Sequence, residues 1–429
     1  MKRMMLSLPR FTKQHGALAQ LVEQWTENPC VPSSILGGTT LKSRGSSLGI
    51  FCLWEIPYLY SPDAALFAFL KLFFMPEDIV IRVLLLPVSL IYGLVVGLRN
   101  LLYRSGILRS VRFDLPVISV GNLAVGGTGK SPHIEYMIRW LDQYINVAVL
   151  SRGYGRKTIG FRAVSTIDSA AEAGDEPLQF KRKFPGIPVS VSESRALGVP
   201  EVVKRNPDTQ CVLLDDAFQH LAVTPLMHIM LTEYGRLFTR DWLMPSGRLR
   251  EWRSGYRRAD IIIVTKCPPD LDPEQRRKIV REIDPYPRQR VYFSRYHYGQ
   301  PCDLLRPDIR RPLDLDTDVL LLSAIANADY LLQYVGSVCR SVHTAEYADH
   351  HFFREDDMND ILKRFQRIES RNKIVVTTEK DATRLEAFSD FFFSNGIPVF
   401  VLPVQVEFCD NDEDVFRHDV KRVLEDFKV

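Results

Sequence analysis

The eight residues AVGGTGKS, Ala124 to Ser131, combine three glycines with a lysine and a hydroxyl, the set of groups that holds a polyphosphate. Gly126, Gly127 and Gly129 let the backbone curl close enough for its N–H groups to reach phosphate oxygens, and a following helix N-terminus adds a favourable dipole. Lys130 supplies a point charge between the β- and γ-phosphates, and Ser131 a hydroxyl for Mg²⁺. The strict motif opens on Gly; here Ala124 takes that place, and Val125 and Thr128 fill the remaining positions. A metal site also needs a carboxylate at the end of a buried strand. Residues 211–216, CVLLDD, provide one: four apolar residues and then Asp215 and Asp216. One of this pair would hold the metal, unless the pair simply caps the next helix.

The elements that must position these groups are legible nearby. From Phe113 the chain takes on an α/β rhythm: the strand-like PVISVGNL, the glycine loop, a helical stretch at 133–144, then VAVLS. Strand, loop and helix in that order are the context a Walker A match requires. Such a loop serves GTPase switches, mechanical ATPases and small-molecule kinases. Guanine is usually read by [NT]KxD after an apolar strand, but IIIVTKCP has Thr265 and Lys266 followed by Pro268 where the Asp should stand. Val125 replaces the lysine of the deviant Walker form, and no repeats or heptads are visible. A kinase is the best remaining class. Its alcohol acceptor needs a base, and cations must surround the moving phosphoryl group. Candidates lie in SRGYGRK (151–157), AGDEP (173–177), SESRALG (192–198), MPSGRLREW (244–252) and YADHHFF (347–353), each taken alone an ordinary polar loop.

Bulk properties bound the reading. The 429 residues suffice for two or three domains, and a net charge of +3 gives no ground for a nucleic-acid partner. Seven scattered cysteines, with no CxxC and no Cys/His cluster, fit reduced thiols and buried small hydrophobes. Residues 1–74 have no secretory h-region and include a Pro/Ser/Gly/Thr-rich connector at 27–49, so we expect this extension to be disordered and dispensable, with Met75 a candidate start. Residues 79–98, IVIRVLLLPVSLIYGLVVGL, are about long enough to cross a bilayer, and Arg99, Arg104, Arg109 and Arg112 follow without an acidic residue among them. Arg82 and Pro87 weaken a spanning reading, and we favour a helix lying in the interface over a spanning or a soluble-core helix. No obligate protein partner is evident.

Taken together and in order, VGNLAVGGTGKSP, LSRGYGRK, GDEP, LLDDAFQH, PSGRLRE, VTK, the ADHH stretch and TTEKDATRL resemble the tetraacyldisaccharide 4′-kinase family, the lipid A 4′-kinases of Gram-negative bacteria, from about residue 77 onward. The resemblance implies transfer of the ATP γ-phosphate to the 4′-hydroxyl of an acylated glucosamine disaccharide 1-phosphate, giving lipid IVA, with Mg²⁺ as cofactor. It also implies work on a membrane lipid surface, at the cytoplasmic face of the bacterial inner membrane. Carried over by position, Lys130 and Ser131 serve the phosphate loop, and Asp215 and Asp216 are the metal-side pair. Asp175 of GDEP, supported by His350, is the base, with His351 the competing partner. His220, Arg250 and Glu251 line the nucleotide and phosphate region. Ala217 and Arg248 depart from the family's usual DDGFQH and PxGPLRE. The expected architecture is α/β: a parallel-sheet P-loop NTPase domain at 113–300, a smaller α/β domain at 310–429, and a membrane-associated helix with its basic flank at 75–112. A membrane-peripheral NTP-dependent switch with no small-molecule acceptor is the alternative.

Overall fold

A computed structural model describes residues 79–427; the expectations for residues 1–74 and for the start of the 75–112 segment fall outside the described residues. The described chain divides into two compact units, residues 79–99 with 242–252, and residues 100–241 with 253–427.

The first unit is built on helix α1 (Ile79–Arg104), whose final turn, from residue 100, belongs to the second. Pro87 sits inside it without ending it; the helix stops only at Ser105 and Gly106, where a φ of +76° suits glycine. Its buried residues, Leu85, Ser89, Tyr92, Gly93, Val96 and Arg99, recur every three or four positions and form one narrow stripe. That stripe meets residues 242–252 through specific bonds. Ser89 Oγ donates to the Leu243 carbonyl at 3.1 Å and lies 2.7 Å from Ser246 Oγ. Tyr92 donates to the Arg250 carbonyl at 2.6 Å, and the Trp252 indole N–H to the Gly93 carbonyl at 2.7 Å. Gly93 is required there, because a Cβ would lie 2.5 Å from the Trp252 ring. The other faces are apolar and open, with Leu84, Leu90, Ile91, Leu94 and Leu98 exposed. The helix extends past residue 98, so Arg99 and Arg104 are part of it rather than a flank that follows it.

The second unit contains two sheets. In the larger, β1 (Val117–Asn122), β2 (Val147–Ser151), β3 (Arg162–Ala163), β4 (Val189–Val191), β5 (Cys211–Asp215), β6 (Met227–Glu233), β7 (Ile261–Thr265), β8 (Arg290–Tyr298) and β14 (Val404–Phe408) lie in the order β14-β8-β7-β6-β1-β5-β2-β4-β3. All pairs are parallel except β14 with β8 and β3 with β4. The central strands read as continuous β-branched and apolar runs because both faces are covered. One face packs α2 (Lys130–Leu141) and α11 (Asp412–Glu425) through Ile134, Met137, Ile138, Phe416 and Val420; the other packs α5 (Arg195–Arg205) through Val199 and Val202. The smaller sheet runs β11 (Ser341–Glu346), β10 (Asp318–Ser323), β12 (Lys373–Thr378), β13 (Val399–Leu402) and β9 (Cys302–Asp303), parallel but for β9. An α/β fold with two parallel-type sheets is therefore present, but the expected 310–429 boundary does not separate them. The last strand and helix of that stretch return to the larger sheet, where Phe408 stacks on Phe416 and both join its core.

Three helices that follow loops of interest are tied by one ionic contact. Lys183, at the end of α4 (Asp175–Lys183), places Nζ 2.6 Å from Glu135 of α2 and 2.6 Å from Glu379, which opens α9 (Glu379–Leu385). Burial, reinforced by the charge of Glu379, pushes the Glu135 carboxyl up to about 7 despite Lys183. Since folded Glu135 titrates above its ordinary 4.5, its ionisation opposes folding, and its contribution to stability falls as the pH rises through that window. Lys183→Met leaves two carboxylates facing each other; we expect a loss of about 3 kcal/mol in denaturant unfolding at neutral pH, shrinking toward pH ~5 as Glu135 protonates. Equal stability of variant and parent at both pH values would show that the contact contributes nothing.

Candidate active site

The glycine loop leaves β1 at Asn122, beside β5 in a register that pairs Val120 with Asp215. Gly126 and Gly129 adopt φ of +106° and +91°, values that favour glycine, and a Cβ on Gly129 would lie 2.7 Å from the Tyr296 hydroxyl. The loop is braced from three sides. Asn122 Nδ2 donates to Thr128 Oγ1 at 2.7 Å, and Thr265 Oγ1 donates to the Thr128 carbonyl at 2.8 Å. His133 Nδ1 donates to the Gly129 carbonyl at 2.7 Å, and its Nε2 accepts from Ser294 Oγ at 3.0 Å. Burial holds that imidazole down at about 4, so it is neutral at physiological pH and acts as a fixed brace. Ala124 and Thr128 are buried, Val125 and Gly126 half-buried, and Gly127 exposed, so the loop presents backbone rather than side chains. Thr265, read as part of an incomplete guanine loop, instead props the phosphate loop. Lys266 lies over the Tyr296 and Tyr330 rings, 3.6 Å from Glu233.

Lys130 and Ser131 open α2, and Lys130 Nζ is 3.5 Å from Asp216 Oδ1. Asp216 follows the strand end in a left-handed conformation, φ +45°, a geometry Asp tolerates better than most residues. Asp215 is buried. Ser151 Oγ donates to its Oδ2 at 2.9 Å, while its Oδ1 has no hydrogen-bond partner. Burial, then the charges of Glu176 and Asp216, push the Asp215 carboxyl up to about 7 against Lys130 and the Ser151 bond. An orphaned buried carboxylate oxygen beside two further carboxylates is a donor set that fits a divalent cation. Among the described residues no three His, Cys, Asp or Glu side chains converge as a self-sufficient metal cage. Asp215, Asp216 and Ser131 would need phosphate or water oxygens to complete a shell, the usual arrangement for Mg²⁺.

Asp175 is the first residue of α4, and the chain reaches it through a tight glycine pair. Gly174 has φ +90°, and a Cβ there would fall 2.9 Å from the Gly153 backbone, so SRGYGRK and GDEP pack glycine to glycine. His350 arrives from the smaller sheet, on the loop after β11, with φ +59°. Its Nδ1 is 2.9 Å from Asp175 Oδ2, and the Tyr154 ring lies 4.6 Å from the imidazole. His351, the competing partner, faces Asp357 at 2.8 Å and stacks on Tyr347. Geometry thus pairs Asp175 with His350 and leaves His351 elsewhere.

The remaining expected residues belong to both units. His220 is buried and its Nε2 accepts from the Arg195 backbone N–H at 3.1 Å; it braces the start of α5 rather than lining an open surface. Arg250 and Glu251 are buried in the unit that carries α1. Three residues without an assigned role in the sequence reading also reach these groups. Arg195, fully buried, donates to the Asp215 carbonyl at 3.0 Å. Arg384 Nη2 is 3.2 Å from Asp175 Oδ2, and Lys380 Nζ is 3.0 Å from His350 Nε2. Arg195 stood in SESRALG and the other two in TTEKDATRL, but nothing in those stretches alone indicates their distant partners.

Comparison with known proteins identifies the family. Residues 81–425 match the family described as LpxK, Tetraacyldisaccharide-1-P 4′-kinase. The chain is 40% identical over 348 residues to the Tetraacyldisaccharide 4′-kinase of Bacteroides thetaiotaomicron, covering 78% of this chain and 91% of that one. It is 42% identical over 342 residues to the protein of the same name from Parabacteroides distasonis, covering 78% and 92%. The crystal structure of LpxK from Aquifex aeolicus in complex with ATP aligns with a TM-score of 0.61 at 26% identity, over 80% of this chain and 99% of that one. A phosphate loop, an acidic strand end and matches of this extent lead to one conclusion: this chain belongs to the tetraacyldisaccharide-1-phosphate 4′-kinase family.

Proposed function

We propose that this protein transfers the γ-phosphoryl group of ATP to the 4′-hydroxyl of a tetraacyldisaccharide 1-phosphate, forming lipid IVA in lipid A biosynthesis. The observation that carries the assignment of an alcohol acceptor is the Asp175–His350 contact, 2.9 Å, in the same unit as a complete phosphate loop. The backbone N–H groups of residues 126–131 cradle the phosphates, with Lys130 at the β/γ oxygens. Ser131, Asp215 and Asp216 would hold a Mg²⁺ ion, which when bound would supply charge neutralisation along the triphosphate. Asp175 accepts the 4′-hydroxyl proton as the oxygen attacks phosphorus, and the bond to the departing ADP oxygen breaks. His350 holds the Asp175 carboxylate in place. His220 acts indirectly through Arg195 and the β5 end, and Arg250 and Glu251 act as backbone and side-chain support for the α1 unit.

The substrate's acyl chains reside in a membrane, and the open apolar faces of α1 suit a helix embedded in the interface at the cytoplasmic side of the inner membrane. Its stripe of bonds to 242–252 uses one side only, which leaves the remainder for lipid.

Three outcomes test this reading. Asp175→Asn is expected to lower kcat by about 10²-fold or more with little change in the KM for ATP; turnover at the parent rate would remove Asp175 from the base role. Asp215→Asn, which relieves like-charge crowding, is expected to raise the melting temperature of ligand-free protein above pH ~7, with the gain vanishing near pH ~5, while Mg²⁺-dependent ATP binding weakens. An unchanged melting temperature with intact Mg²⁺ dependence would count against that site. Alkaline carbonate is expected to strip the full-length protein from membranes; retention in the pellet would favour a spanning helix.

A further inference from the structure

Two of the scattered cysteines meet in the fold. Cys267 lies two residues beyond the end of β7 and Cys409 directly follows β14, the strands on either side of β8. β8 holds both backbones: the Cys267 N–H donates to the Ser294 carbonyl and the Cys409 N–H to the Phe293 carbonyl, each at 2.9 Å. The side chains converge across that point. The Cys267 S–H has the Val264 carbonyl at 3.4 Å and also reaches the Cys409 sulfur. Both are free thiols and buried, while Asp410, next in the chain, is exposed, so this end of β14 is at the surface. The groups around the pair set the two sulfurs apart. The bond from Cys267, with the Arg295 and Arg276 guanidinium groups, holds the Cys409 thiol below its ordinary value against burial and the Asp412 carboxylate. That same bond, reinforced by burial, pushes the Cys267 thiol up. One member is favoured as a thiolate and the other is a thiol that donates to it, the arrangement of an attacking and a resolving cysteine.

We propose that Cys267 and Cys409 form a dithiol site that hydrogen peroxide converts to a disulfide, and that closing this bond loosens the phosphate loop and weakens ATP binding. The inference goes beyond the kinase assignment and does not depend on which group takes the alcohol proton. In the first step the Cys409 thiolate attacks one peroxide oxygen; the S–O bond forms, the O–O bond breaks, and the departing hydroxide takes up the proton that Cys409 had lost, leaving as water. In the second, the Cys267 sulfur attacks the Cys409 sulfur; the S–S bond forms, the S–O bond breaks, and the hydroxide leaves with the Cys267 proton as a second water. Two thiols are oxidised and one peroxide is reduced. The consequence for the phosphate loop follows from its braces. Thr265, two residues before Cys267, donates to the Thr128 carbonyl at 2.8 Å. Ser294, whose carbonyl accepts from the Cys267 N–H, donates through its hydroxyl to His133, which holds the Gly129 carbonyl. Two of the loop's three braces thus start from residues tied to Cys267. A disulfide brings its sulfurs to about 2 Å, well inside a thiol hydrogen bond, and removes the S–H that the Val264 carbonyl accepts. Closure therefore draws the backbone at 265–267 and 294 out of its present arrangement.

The test uses full-length protein in detergent, reduced, freed of reductant and treated with hydrogen peroxide. Remaining thiols are alkylated, the peptides are mapped by mass spectrometry without reduction, and the Kd for ATP is measured without lipid. A peptide pair linked through Cys267 and Cys409 is expected, with a Kd for ATP raised about threefold or more, and both changes are reversed by dithiothreitol. Peroxide treatment that leaves both thiols open to alkylation, or that carries Cys409 to the sulfinic acid with Cys267 still free, overturns the proposal. Complete linkage with an unchanged Kd overturns it as well. Cys409→Ala is expected to bind ATP within about twofold of the parent and to lose the response of Kd to peroxide. A full response in that variant would place the effect on another thiol and overturn the proposal equally. Should the variant fail to fold, the peptide map and Kd of the parent decide the matter alone. Because ATP binding is read without lipid, the result is independent of whether the alcohol acceptor is correctly assigned.

Discussion

The ion triad of Glu135, Lys183 and Glu379 is the constraint on which the geometry of the candidate site depends. Each member belongs to a helix whose first turn carries a polar side chain of the candidate site: α2 begins with Lys130 and Ser131, α4 with Asp175 and α9 with Glu379 and Lys380. A lysine bonded at 2.6 Å to carboxylates on the two other helices holds three N-termini in one register. Gln179 adds a donor to Glu135 at 2.7 Å, so the buried carboxylate is satisfied on both oxygens. Desolvating Glu135 is costly, as its raised proton affinity records. The gain is that the phosphate loop, Asp175 and Lys380 are fixed relative to one another.

Both sheets use the same device to build the site. In the larger one the phosphate loop, Asp216 and Lys266 all follow strand C-terminal ends, where parallel sheets leave a crevice. In the smaller one His350 follows β11 and Lys380 follows β12. Asp381 knits this end together by accepting from the Ala324 N–H at 3.0 Å and from Thr378 Oγ1 at 2.8 Å. The return of β14 and α11 to the larger sheet closes the chain around both, so the connection between sheets is covalent on two sides of the smaller one.

How much of this was legible in the sequence depended on the range of each constraint. The phosphate loop could be read directly because its requirements are local: glycine where φ is positive, lysine and serine at the first turn of the following helix. Asp215 could be read because a doubly covered strand has only one way to end. Asp175 and His350, 175 positions apart, were paired only through family resemblance, and no period or spacing in the chain would have singled out His350 over His351. The contacts of Lys380 and Arg384 are not legible in TTEKDATRL, since a charged helix start reads as a solvated face unless its partners are known. The pairing of 404–408 with the larger sheet was illegible for a related reason: an apolar strand announces burial but not which sheet it joins.

A kinase and a nucleotide switch would share the loop, the acidic strand end and the apolar helix α1. They differ in whether an alcohol stands over Asp175. The decisive measurement is transfer of γ-labelled phosphate from ATP by the full-length protein in detergent, with and without the tetraacyldisaccharide 1-phosphate. The account predicts label in the lipid product, one phosphate per ATP consumed, and negligible ATP turnover when the disaccharide is left out. ATP turnover that is independent of the disaccharide, with no label in lipid, would contradict it.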